Sequence, residues 1–180
     1  MKLDENQVDL DEIDVQILAL LQEHCKTPLA KIGARVGLSA PAVIERIKKL
    51  EEGGVIVGYT ALLDARSLGC DIAAFIGVLT AQPSGISDVE TQIESRPEVL
   101  ECHHVTGGYT LLLKVKTADT STLEALISDL RAIDGVARTE TMVVLSTRIE
   151  RQLMVRPESP PHKRRPRRSV TKMLHARSAN

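Results

Sequence analysis

At 180 residues and 43% hydrophobic side chains, the chain is long enough for one large domain or two small ones, each with a proper core. No apolar run approaches the roughly 20 residues of a membrane span, and the acidic start MKLDENQVDLDE argues against a secretory signal. Three scattered cysteines without a C-x-x-C pair exclude a disulfide framework or zinc ribbon and point to a reducing cytoplasm. The net charge of −1 conceals a division, since residues 156–180 carry +7 and the remainder −8.

Residues 11–24, DEIDVQILALLQEH, space Ile13, Ile17, Leu20 and Leu21 for one helix face behind an Asp11 N-cap. In TPLAKIGARVG, Thr27 is the expected cap, Pro28 suits the first helical position, and Leu29, Ile32 and Val36 form a face that Gly37 ends in a left-handed conformation. Ser39 then caps a third helix with Val43, Ile47 and Leu50 inward, stopped by Gly53 and Gly54. VIVGYTALL (55–63) reads as a strand, and residues 63–72 as a linker.

Beyond it, AAFIGVLTA (73–81) reads as a buried strand and SDVETQIESR (87–96) as a helix with a Ser87–Glu90 capping box. VLECHHVT and TLLLKVKT are strands joined through Gly107 and Gly108, a hairpin signal. STLEALISDLRAI (121–133) repeats the capping pattern with Ser121 and Glu124, and ARTETMVVLSTRI is a last strand. The order β-α-β-β-α-β predicts an α+β unit with a four-stranded antiparallel sheet and helices on one face. The other face needs a cover, for which a second copy of the chain is expected. The domain reading is therefore 1–62, a linker at 63–72, a second domain at 73–150, and a basic disordered tail at 151–180.

Helix, Gly-containing turn and helix make a helix-turn-helix. Between Lys26 and Lys49 lie six basic residues and one acid, Glu45. The outward set of the third helix is Ala40, Pro41, Ala42, Glu45, Arg46 and Lys49, with Lys48 completing a basic Arg46–Lys48–Lys49 cluster. Small residues at its start permit close approach to bases in the major groove. There Arg46 would reach a guanine or a phosphate and Glu45 a cytosine amino group, while Lys49 would meet the backbone. The competing view is a three-helix packing unit with solvated charges.

Other constellations carry less. Cys102 and His104 share one side of a strand and His103 the other, so two ligands fall short of the three or four that zinc takes, and no metal is expected. His24, at a helix end, suits the dipole. No nucleophile–base–orienter set or phosphate-binding glycine loop is visible, so neither catalysis nor a cofactor is expected. With three aromatics in all, Tyr59, Phe75 and Tyr109, the chain lacks the stacking surface of an RNA-recognition domain. The basic run HKRRPRR reads either as an arm gripping phosphates or as a solubilising end; the arm is favoured because it brings positive charge to an otherwise acidic protein.

Taken together, LDEIDVQILALLQEH, PLAKIGARVGLSAPAVIERIKKLEEGGVIVGYTALLD, VLECHHVTGGYTLLLKV and GVARTETMVVLST resemble the Lrp/AsnC, or feast/famine, transcriptional regulators over roughly residues 9–148. The resemblance implies a winged helix-turn-helix domain that binds duplex DNA through Ser39, Ala42, Glu45, Arg46 and Lys49. It also implies a ferredoxin-like second domain (the RAM domain) that forms dimers, commonly assembled into octamers. It further implies an amino acid or related metabolite as effector, bound beside Thr106, Gly107, Gly108, Tyr109 and Thr110. The family's loop reads G-x-Y-D, whereas Thr110 stands here at the aspartate, so the charge that would counter an ammonium is missing and a non-standard metabolite, or none, is expected. Haem-biosynthesis decarboxylases share the architecture and use pocket histidines, which makes His103 and His104 the basis of an enzymatic alternative.

Overall fold

The computed structural model describes residues 9–81 and 85–155, so the basic run expected to form an arm lies outside the described residues. The chain divides into two compact units. One holds the described residues up to Thr60 together with Arg151–Val155, and the other runs from Ala61 to Glu150.

The first unit is three helices, α1 (Glu12–Glu23), α2 (Leu29–Val36) and α3 (Ala40–Glu52). Asp11 caps α1 by accepting the Asp14 amide at 2.8 Å, and the Asp14 carboxylate accepts the Asp11 amide in return at 3.3 Å. Thr27 does not cap α2; its hydroxyl donates to the His24 carbonyl instead, at 2.7 Å. The His24 Nδ1 accepts the Lys26 amide, which ties the end of α1 into the next turn. Gly37 closes α2 with φ 72°, as its position in the sequence predicts. Gly33 carries a second demand that periodicity does not reveal: a Cβ there would stand 2.4 Å from the Leu38 carbonyl oxygen, so only glycine lets the turn fold back on α2. Ser39 caps α3 through the Ala42 amide. Ile17, Ile32 and Val43 are fully buried at the centre of the bundle, each stabilising it by about 1.5–3 kcal/mol relative to exposure.

No strand forms over 55–63, contrary to the expectation. Its β-branched content reports fit to a half-buried pleated surface, and Val57 and Leu62 are instead 68% and 79% exposed. With no strand there, the wing that the resemblance implies is not formed by this segment. The Val55 and Ile56 amides both bond the Leu50 carbonyl to close α3, and the Tyr59 hydroxyl donates to Glu51 at 2.9 Å.

The second unit opens with a 3-10 turn, Arg66–Leu68, inside the stretch read as a linker. Then come β1 (Ile72–Thr80), α4 (Ile86–Glu94), β2 (Val99–His104), β3 (Leu111–Thr117), α5 (Thr120–Ala132) and β4 (Val136–Val143). The sheet order is β2-β3-β1-β4, with every pair antiparallel. Ala74, Ile76 and Val78 of β1 and Leu111, Leu113 and Val115 of β3 point to one face, where Val89, Ile93, Leu123, Leu126 and Leu130 of the two helices cover them. Neither expected capping box forms. Gly85 precedes α4 without a side-chain cap, and Asp119 caps α5 through Thr122, two residues earlier than the Ser121 reading. A closer acceptor at the true boundary displaces the S-x-x-E signal in α5, and in α4 Glu90 is taken by His104.

Candidate functional site

The turn at 37–39 presents the start of α3, and the helix then buries Val43 and Leu50 fully. The opposite side carries Pro41, Ile44, Glu45, Lys48 and Lys49, all exposed. Ser39 is exposed and spends its hydroxyl on the cap, while Ala42 is partly buried, so its neighbours can approach a surface closely. Lys48 faces Glu52 at 3.6 Å, with both side chains about two-thirds exposed. Such an exposed pair contributes little and exchanges readily for a phosphate.

Arg46 departs from the sequence reading. Its Nη1 lies 2.6 Å from Asp11 Oδ2 and 2.8 Å from Asp14 Oδ1, and its side chain is 29% exposed. The hydrogen bonds it donates to Asp11 and Asp14 raise the guanidinium pKa further. Burial pushes the Asp11 carboxyl up, but the Asp14 amide and Arg46 outweigh it and hold it below its usual range. Arg46 therefore joins α3 to α1, a tie that its expected contact with a guanine or a phosphate did not foresee. Helical spacing alone put it outward; the missing signal was a pair of aspartates at the first helix N-terminus.

Ile44 is the outward residue that sequence reasoning missed. It is 49% exposed between Glu45 and Pro41, where an apolar side chain has no core to serve. The signal was available as an isoleucine one place from the buried face.

In the second unit the loop joining β2 and β3 holds the five expected effector residues. Thr106, Gly107 and Gly108 are exposed, and nothing stands where a Cβ of either glycine would be. The other two are committed to β1. The Thr110 hydroxyl accepts the Thr80 amide at 3.2 Å and pairs with the Thr80 hydroxyl at 3.1 Å. The Tyr109 ring lies over Gly77, where a Cβ would come within 2.6 Å of it. Burial first, then a hydrogen bond with Glu140, pushes the Tyr109 hydroxyl pKa up. A shallow groove of about 400 Å³ lies apart from the loop residues, lined by Arg131, Val136, Ala137, Arg138 and Thr139.

His103 pairs with Glu101 at 3.0 Å and His104 with Glu90 at 2.5 Å, on opposite faces of β2. Among the described residues no three His, Cys, Asp or Glu side chains assemble into a metal-binding group.

Two family models match the chain. The AsnC-type helix-turn-helix domain covers residues 10–51, and the Lrp/AsnC ligand binding domain covers residues 73–154. The HTH-type transcriptional regulator FL11 of Pyrococcus horikoshii is 37% identical over 144 residues, 80% of this chain and 95% of that protein. The leucine-responsive regulatory protein of Escherichia coli is 35% identical over 140 residues, 76% of this chain and 85% of that protein. The solved structure of E. coli AsnC superposes with a TM-score of 0.77 at 29% identity, covering 80% of this chain and 97% of that one. A transcriptional regulator from Neisseria meningitidis in complex with L-methionine gives a TM-score of 0.74 at 30% identity, covering 78% and 93%. All four are regulators, and none points to the decarboxylase alternative. With both of its units matched, and in the family's order, the chain belongs to the Lrp/AsnC family of transcriptional regulators.

Proposed function

We propose that the outward side of α3 enters the major groove of duplex DNA, with Ile44 against base edges and Lys48 and Lys49 against phosphates. The observation that carries this reading is the exposure of Ile44 and the two lysines together on a helix whose opposite side is locked into the bundle. Short Ala42 and the capped Ser39 favour close approach at the helix start. Glu45 adds an acceptor for a cytosine amino group.

The chain acts as a dimer or a larger assembly in the cytoplasm. Support comes from the sheet face turned away from the helices, where Phe75 and Met142 pair across β1 and β4 at 37% and 42% exposure and Leu79, 39% exposed, lies further along the same side of β1. An apolar patch of this kind on a sheet is expected to meet a partner surface, and a second copy presents the same patch. The unit that carries it takes a small metabolite at Thr106–Gly108. The L-methionine complex of the Neisseria relative and the open space at both glycines favour an amino acid or related carboxylate.

Selection from a pool of random duplexes tests the DNA-binding reading. The expected outcome is enrichment of paired half-sites whose centres lie about one helical turn, or a multiple of it, apart. A pool that stays random after several rounds contradicts it.

A further inference from the structure

Gln22, on the last turn of α1, holds the segment Leu153–Val155 that follows the second unit in the chain. Its Nε2 donates to the Leu153 carbonyl at 2.5 Å, and its Oε1 accepts the Val155 amide at 2.7 Å. A carboxamide carries both a donor and an acceptor, so one glutamine matches two backbone groups on the segment as a neighbouring strand would. Leu153 and Met154 are 82% and 54% exposed and only Val155 is partly buried, so little apolar surface is buried along this stretch. The amide pairing ties it to α1, and Arg151–Val155 groups with the helical unit rather than with the sheet. The adjacent Glu23 meets Arg35 at 3.7 Å, which brings this end of α1 within side-chain reach of the end of α2 that leads into the turn before α3.

Past Val155 the sequence concentrates its positive charge, with eight Lys or Arg against Glu158 alone. The densest part, Lys163 to Arg168, begins eight residues past the clasp, a length of chain that spans at most roughly 30 Å. The remaining 155 residues are net −8 and as a whole oppose approach to a polyanion.

We infer that Gln22 docks the C-terminal segment on the helix-turn-helix unit and so delivers the basic run to DNA phosphates flanking the α3 contact, as a second, sequence-independent grip acting in cis. The inference rests on the DNA-binding reading of α3. The clasp sets the local concentration of the run at the same duplex, and the run supplies counterion release.

The test measures fluorescence anisotropy of a labelled mixed-sequence duplex of about three helical turns, over a range of KCl, with four proteins: the full chain, Gln22→Leu, the chain ended at Val155, and Gln22→Leu in that shortened chain. Ending the chain at Val155 lowers affinity about tenfold or more near 0.1 M salt and flattens the log–log salt slope by about two units or more. Gln22→Leu lowers affinity about threefold in the full chain and leaves the shortened one unchanged. In amide hydrogen exchange, Val155 loses protection in Gln22→Leu. Equal binding by full and shortened chains overturns the proposal. So does tighter binding by the shortened chain, which would mean that the run lies against the protein's own acidic surface. An equal effect of Gln22→Leu in both backgrounds, or no effect in either, removes the clasp from it. If no version binds any duplex, the reading of α3 fails as well, a result distinct from all of these.

Discussion

Arg46 pins Asp14: the guanidinium Nη1 lies 2.8 Å from Asp14 Oδ1, a carboxylate whose side chain has no exposed surface. The same nitrogen reaches Asp11 at 2.6 Å, so one cation on α3 is shared by two carboxylates at the start of α1. A buried charge without its partner is far more costly than a pair replaced by apolar groups. This tie therefore fixes how α3 sits against α1.

Arg46→Ala destabilises the helical unit by about 3 kcal/mol because it strands the Asp14 carboxylate. The double variant Asp14→Leu/Arg46→Leu recovers most of that loss. Urea denaturation followed by helical circular dichroism distinguishes the two; equal destabilisation by both would remove the stranded charge as the cause.

The same tie gives an acid limb. Asp11 is held below the ordinary aspartate value of about 3.9. The unfolded chain then binds more protons than the folded one below that value, and stability falls with pH. The contribution is complete above about pH 5 and is lost as pH drops through the lower folded pKa. Asp11→Asn flattens this part of the curve. A melting temperature that falls as steeply in Asp11→Asn as in the parent between about pH 5 and pH 3 would speak against it.

Gly77→Ala drives a methyl group into the Tyr109 ring, since the Cβ would stand 2.6 Å from it. Overpacking of this kind costs about 1–3 kcal/mol and shifts the loop that holds Thr106–Gly108. Thermal unfolding and isothermal calorimetry with L-methionine read the two effects. A variant as stable as the parent would show that the ring moves aside freely.

Thr110 offers no negative charge, and its hydroxyl is already shared with Thr80. An effector held at this loop is therefore expected to be recognised through its carboxylate more than through its ammonium. Calorimetry with leucine, methionine and the corresponding 2-keto acids is expected to give affinities within about tenfold of one another, a difference of about 1.4 kcal/mol. A larger preference for the amino acids would place an ammonium-binding group elsewhere in the site.

Much of this architecture could be read from spacing. Ile17, Ile32, Val43 and Leu50 fall on helical periods, and the alternation in β3 sends Leu111, Leu113 and Val115 to the core, because burial on one face leaves a period in the sequence. What spacing could not show depends on partners distant in sequence. Asp14 sits thirty-two positions before Arg46, and the pattern of α3 alone turns that arginine outward. The S-x-x-E signals at Ser87 and Ser121 failed because capping needs the acceptor at the first turn's true boundary, which Gly85 and Asp119 set. The run at 55–63 has strand composition without the half-buried surface that makes composition count. Nothing in the spacing marks Gly33 or Gly77, and only the approach of the Leu38 carbonyl and the Tyr109 ring explains them.

The central claim is that Ile44, Lys48 and Lys49 of α3 meet duplex DNA while Arg46 holds the helix in place. It is tested most directly by the affinity of Lys48→Ala/Lys49→Ala for a duplex recovered by selection with the parent protein, measured beside its melting temperature. The account predicts an unchanged melting temperature, an affinity at least about tenfold weaker, and a salt slope shallower by about two units, one for each phosphate no longer neutralised. Parental affinity with an unaltered slope would contradict it.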